Sequence, residues 1–142
     1  MKGASRSGVS GPMLGTMSIP VDMARLAEAL TDFGSGYLLT ASADGRVKAV
    51  TVDPQLDGGV LRCAASRGSA ANLAGNPQAT LVLWPREEHG YSLLVDGTGV
   101  PVDDVIELTP ASAVLHRPVS HAAHEDDPVV GDGCGHDCAP VR

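Results

Sequence analysis

The stretch Leu61 to Val82, LRCAASRGSAANLAGNPQATLV, constrains the fold of this chain more than any other. A β-type run leads into Ser66-Arg67-Gly68-Ser69, then a short helix over Ser69–Gly75 that Asn76-Pro77 ends, then a second β-type run. Such an order requires a sheet with a small helix set between two of its strands. It also delivers an arginine and hydroxyls to a helix start, where the first N–H groups lack intrahelical partners and the dipole favours negative charge. Two readings are open at this point. The turn holds a phosphate, or it is a tight βα connection whose polar residues merely cap the helix.

The flanking sequence is written mostly in strands. Tyr37 to Ala43 and Val47 to Val52 bracket Ala43-Asp44-Gly45-Arg46, the strongest hairpin signal in the chain. A turn through Pro54 and Asp57-Gly58-Gly59 precedes a strand from Val60 to Ala65. Beyond the helix, Ala79 to Trp84 and Tyr91 to Val102 read as strands separated by the polar turn Pro85 to Gly90. Gly97 and Gly99 point to a bulge or a close backbone approach. Asp103-Asp104 turns the chain into Val105 to Thr109, and Ala111 to His116 adds a last strand. Before all of these, Pro20 suits a first helical turn. Met23, Leu26, Ala27, Leu30 and Phe33 then fall at helical spacing, with Gly34 as the stop. Short strands at even spacing with two small helices predict a closed or nearly closed barrel of about six antiparallel strands. The apolar run Leu81–Trp84 reads as a strand covered on both faces, one by the barrel interior and one by a second subunit, so a homodimer is expected.

Length and composition narrow the function classes. The 142 residues suit one domain, and aromatics at 3% leave the core to Val, Leu and Ala. A net charge of −7 argues against general affinity for nucleic acid or anionic membrane, and no apolar run is long enough to span a bilayer. Residues 1–19 are Gly/Ser-rich without a signal-peptide core, giving a flexible lead-in and a cytoplasmic protein as the expectation. Residues 20–117 form the cofactor-binding domain in this reading, and 118–142 an acidic tail. Cys63 falls in a strand while Cys134 and Cys138 fall in the tail, so the body implies no disulfide framework.

The order of four pieces carries a resemblance. An N-terminal helix comes first, then Ala43-Asp44-Gly45-Arg46-Val47 turning into Val50-Thr51-Val52. Arg67-Gly68-Ser69-Ala70-Ala71-Asn72-Leu73 with Asn76-Pro77 follows, and then Tyr91 to Gly99. Over roughly residues 22–116 the chain resembles the pyridoxamine 5′-phosphate oxidase-like family of split β-barrel flavoproteins. The resemblance implies a homodimer holding FMN or a deazaflavin (coenzyme F-420) at the subunit interface. It implies that Val50, Thr51 and Val52 approach the ring, that Ala65, Ser66, Arg67 and Ser69 line the phosphate end, and that Asn72 belongs to the helix beneath it. Many members of the family carry a lysine at the position of Ser69. Here the nearest cation in sequence is Arg67, with Lys48 or Arg62 able to assist if the fold brings them close.

No Gly-x-Ser-x-Gly elbow, dinucleotide fingerprint or evident carboxylate pair is present. That suits a cofactor enzyme, in which the protein contributes binding and orientation. The expected activity is an oxidoreductase acting on a small molecule, with a non-catalytic flavin carrier as the alternative. Several residues keep two readings each. Arg67 contacts phosphate or is a solvated turn residue, Ser69 donates to phosphate or caps the helix, and Trp84 stacks on a ring or packs an interface. Cys63 reads as a small buried hydrophobe. A separate hypothesis concerns the tail, where Cys134, His136 and Cys138, with His121 and His124 upstream, are donors suited to zinc or copper.

Overall fold

In the computed structural model, which describes residues 16–120, β1 (Thr16–Val21) leads through a 3-10 turn (Met23–Arg25) into α1 (Leu26–Leu30). There follow β2 (Phe33–Ala41), β3 (Val47–Val52), β4 (Gln55–Asp57), β5 (Val60–Ala64), α2 (Arg67–Gly75), β6 (Gln78–Pro85), β7 (Ser92–Val102) and β8 (Val105–Pro118). Ser18–Arg117 forms one unit, while Met1–Met17 and Pro118–Arg142 group as another, of which residues 16, 17 and 118–120 are described.

The strands make one eight-stranded sheet in the order β3-β2-β6-β7-β8-β5-β4, with β1 paired to β8. Every pair with a resolved register is antiparallel. The two ends of that order, β3 and β4, are joined only by Asp53-Pro54. Three Cα steps of about 3.8 Å hold Val52 and Gln55 within about 11 Å, so the sheet must curl until its ends meet. That is the split barrel: closed by the chain, with the ladder left open between β3 and β4.

Register sorts the residues into cross-strand rungs. One inward rung runs Val50–Leu38–Leu81–Val95–Ala113 and the next Val52–Gly36–Leu83–Leu93–Leu115. Leu38, Leu81, Leu83, Leu93 and Val95 are fully buried, as are Leu61, Ile106 and Leu108 on β5 and β8. A core of small aliphatics is what a chain this poor in aromatics can build. A third inward rung reads Lys48–Thr40–Ala79–Gly97. Apart from Lys48 its side chains are small and leave room on the sheet, and α2 occupies it: a Cβ on Gly99, the next inward position of β7, would stand 3.1 Å from Leu73 Cδ1.

The hairpin at Asp44-Gly45 forms as expected, with Gly45 at φ 90° and Ser42 N–H bonded to Arg46 O at 2.9 Å. The bulge expected near Gly97 forms as well, between Asp96 and Gly97, with Thr109 backbone pressed against Gly97.

Other expectations are corrected. There are eight strands where about six were expected, because β1 and the three-residue β4 give almost no sequence signal, while the two expected last strands are one continuous β8. The helix expected from Pro20 to Phe33 shrinks to the 3-10 turn and α1, with Asp22 as N-cap. Pro20 lies in β1, whose one strand partner among the described residues is β8, and an edge strand tolerates a missing N–H. Gly34 does not stop a helix but extends β2, where Phe33 pairs with Pro85.

Candidate functional site

The site is assembled where β3, the β5–α2 junction and α2 converge. Ser66, extended at φ −99° and ψ 161°, caps α2 by accepting from Ser69 N–H at 3.1 Å. Its hydroxyl also donates to Ser69 Oγ at 2.9 Å. Ser69 has no exposed surface, so its hydroxyl serves this cap and is not presented to the exterior. The helix thus starts at Arg67, two residues earlier than its sequence suggested, with Ser66 in the capping role. Ala65 N–H donates to Asp104 O at 2.9 Å, pinning the junction to the β7–β8 turn.

Lys48 reaches this helix start from β3. A Cβ built on Gly68 would stand 2.9 Å from Lys48 Cδ and 3.0 Å from Nζ, and closer still to Cε. The ammonium group therefore lies over the first turn of α2, the turn that exposed Arg67 opens. Neither Lys48 nor Arg67 forms an ion pair among the described residues, whereas Arg62 is held by Glu107 at 2.6 Å across β5 and β8. Lys48 thus meets the positive end of a helix dipole, with Arg67 as the first helical residue, and neither cation has an acidic partner among the described residues, which chemically is an anion-receiving arrangement.

The register divides the other expected residues. Val50 and Val52 face inward with Lys48, and Val52 is buried. Thr51 faces outward, in a rung Thr51–Tyr37–Val82–Leu94–Val114 that crosses five strands. Asn72 is committed to the sheet, its Nδ2 donating to Thr40 Oγ1 at 3.0 Å. On the outer face Tyr37 and Trp84 are 44% and 39% exposed, with ring centroids 5.1 Å apart at a 59° tilt. Val47 adds 66% exposure on the same face, leaving an apolar surface that is open among the described residues.

Two features went unread in the sequence. Thr40 follows Leu38 at the alternating inward position, and a polar residue there was the available signal of a buried partner. The approach of Lys48 to Gly68 had none, since it depends on how α2 folds back over β3. Cys63 is buried and unbridged as expected, and burial raises its thiol pKa. Cys134, His136 and Cys138 lie outside the described residues. Among the described residues no cluster could hold a metal ion, and no helix is long and apolar enough to cross a membrane.

Strand order and helix placement define the class: a split β-barrel of the pyridoxamine 5′-phosphate oxidase-like type. A candidate pyridoxamine 5′-phosphate oxidase of Listeria innocua superposes with a TM-score of 0.56 at 13% identity, covering 66% of this chain and 96% of that one. The FAD-binding protein of Mycobacterium smegmatis gives 0.55 at 11% identity, covering 71% and 98%. A FAD-binding protein of Mesorhizobium loti gives 0.55 at 12% identity, covering 73% and 98%. These likenesses establish the fold. No family model matches the sequence. The chain belongs to the same family as the uncharacterized proteins Mb0449c of Mycobacterium bovis and MT0457 of Mycobacterium tuberculosis, each 37% identical over 135 residues and covering 83% of this chain and 92% of its relative.

Proposed function

We propose that this protein is a homodimeric, cytoplasmic oxidoreductase that binds FMN or the deazaflavin coenzyme F-420 and acts on a small molecule. The observation that carries the reading is Lys48 lying over Gly68 at the start of α2. It supplies, from a strand, the cation that Ser69 does not supply from the helix. The FAD-binding proteins that share the fold support a flavin over other phosphorylated ligands.

The residues present fit such a group. Lys48, Arg67 and the free N–H groups of the first turn of α2 would hold the phosphate. Because β3 ends the sheet order, one edge of Val50-Thr51-Val52 has no strand partner among the described residues. Unpaired backbone donors and acceptors at alternating positions suit the polar edge of a flat heterocycle. A flavin supplies the hydride-transfer chemistry when bound, and the protein's part is to bind and orient it. The rung containing Thr51, Tyr37 and Val82, with Trp84 beside it, offers an apolar cover. A second copy packed there would exclude water from the same edge.

The test is a visible spectrum of the purified protein followed by titration with FMN and with coenzyme F-420. One of the two is expected to bind, and Lys48→Met is expected to weaken it about fivefold. That figure corresponds to about 1 kcal/mol, a charge-assisted hydrogen bond discounted for its exposed position. A colourless protein that binds neither refutes the reading. Binding without turnover of any reductant or acceptor reduces it to a carrier.

A further inference from the structure

The third inward rung contains an anomaly. Thr40 is 2% exposed among aliphatic neighbours, and a valine would fill the same volume without a hydroxyl to satisfy. Its Oγ1 accepts from Asn72 Nδ2 at 3.0 Å, making a half-buried polar link between β2 and the middle of α2. In the β2–β3 ladder Thr40 lies directly opposite Lys48. One rung therefore carries both the anchor that receives the helix and the cation that covers its first turn.

We propose that Thr40 and Asn72 are positioning residues, whose hydrogen bond sets where the first turn of α2 stands relative to Lys48. The inference rests on the flavin reading for its consequence in binding, though not for its geometry. Three other contacts hold α2 but leave this degree of freedom open, the first being Ala65 N–H bonded to Asp104 O at 2.9 Å, which fixes the chain entering the helix. Leu73 against Gly99 fixes the height of the helix over β7, and Gly99 N–H bonded to Pro77 O at 2.8 Å fixes the chain leaving it. All three lie on the side of β7 and its turn into β8. Rotation of the helix about that side swings Gly68 toward or away from β3, and only the Asn72 amide ties the β2 side by a directed bond. A hydrogen bond specifies an angle, as apolar packing alone does not. Gly68 belongs to the same arrangement, since its missing side chain is what lets the Lys48 methylenes lie against the helix.

The experiment compares wild type, Thr40→Val and Thr40→Ser in the full chain by urea unfolding, by NMR of the Lys48 Cε and Nζ resonances, and by FMN titration. Thr40→Val is expected to stay folded, to shift the Lys48 resonances and to weaken FMN about fivefold. Thr40→Ser, which keeps the hydroxyl, is expected to restore both. Lys48 resonances unchanged in folded Thr40→Val overturn the proposal. Resonances that move in a protein that never binds FMN uphold the positioning and sink the flavin reading instead. If Thr40→Val does not fold, Asn72→Ala reads the same link from the helix side. Failure of both to fold overturns the proposal, because the bond would then hold the barrel rather than aim the helix.

Discussion

Gly68→Ala separates the position of a charge from its presence. The added Cβ would overlap Lys48 Cε and stand 2.9 Å from Cδ and 3.0 Å from Nζ, where ordinary contacts need 3.4–4 Å. The yielding partner is the far end of a flexible side chain, so the lysine moves rather than the barrel. Gly68 has no positive φ, and alanine is the better helix former. The fold should be unaffected or gain about 0.5 kcal/mol, which in a domain of this size raises Tm by about 2–4 °C. The ammonium group, pushed off the first turn, should lose a contact worth about 1 kcal/mol at an exposed site. Cofactor affinity would then fall about fivefold with every charge retained. Differential scanning calorimetry and FMN titration, with the coenzyme F-420 titration beside it, read the two effects. Wild-type affinity in the alanine variant would show that the placement of Lys48 contributes nothing. A fall in Tm of several degrees would show that the helix start, not the lysine, gave way.

Three further outcomes follow from the same geometry. Gly97→Ala should destabilise by several kcal/mol, because its Cβ would meet the Thr109 carbonyl and Pro110 Cα, backbone atoms that cannot step aside. Gly99→Ala, facing mainly the Leu73 side chain at 3.1 and 3.3 Å, should cost about 1–3 kcal/mol; equal losses in urea melts would contradict this ordering. Burial raises the Cys63 pKa above its ordinary value of 9.0, so the thiol favours folding below that pH. Its contribution is lost as pH climbs from there through the folded-state value, and Cys63→Ala should flatten the alkaline fall of stability above pH 9. Trp84→Lys, a charge set on the uncovered outer face beside Tyr37, should turn a dimer into monomer by sedimentation velocity at micromolar concentration; a wild type already monomeric there removes the homodimer.

The sequence was most legible where one residue dictates the backbone. Asp44-Gly45 marked the hairpin and Gly97 the bulge, and Asn76-Pro77 marked the end of α2. It was least legible where pairing decides. Gln55–Asp57 is a strand because Arg62, Leu61 and Val60 lie opposite it, and nothing in three residues announces that. Phe33 kept helical spacing with Leu26 and Leu30, yet the sheet claimed it, since β6 offered a ladder and the short helix offered little. Within the site, Ser66 to Ser69 were found together because they are adjacent in sequence. Lys48 was named only as able to assist and Thr40 was missed, because opposite positions of a hairpin meet a helix residue only after α2 has folded back over them.

The long strand β8 gives the chain a particular order of assembly. It pairs with β7, β5 and β1 at once, and no other strand links the β4–β5 hairpin to the rest of the sheet. A nascent chain emerging up to Val102 holds two β units with no ladder between them, β2-β3-β6-β7 and β4-β5. During that interval Leu61 and Cys63 lack the strand that carries Ile106 and Leu108 opposite them. At translation rates of about 5–20 residues per second, adding β8 takes on the order of a second. Barrel closure is therefore a late event, and the Ala65 N–H at the entry to α2 likewise waits for Asp104 O in the turn before β8.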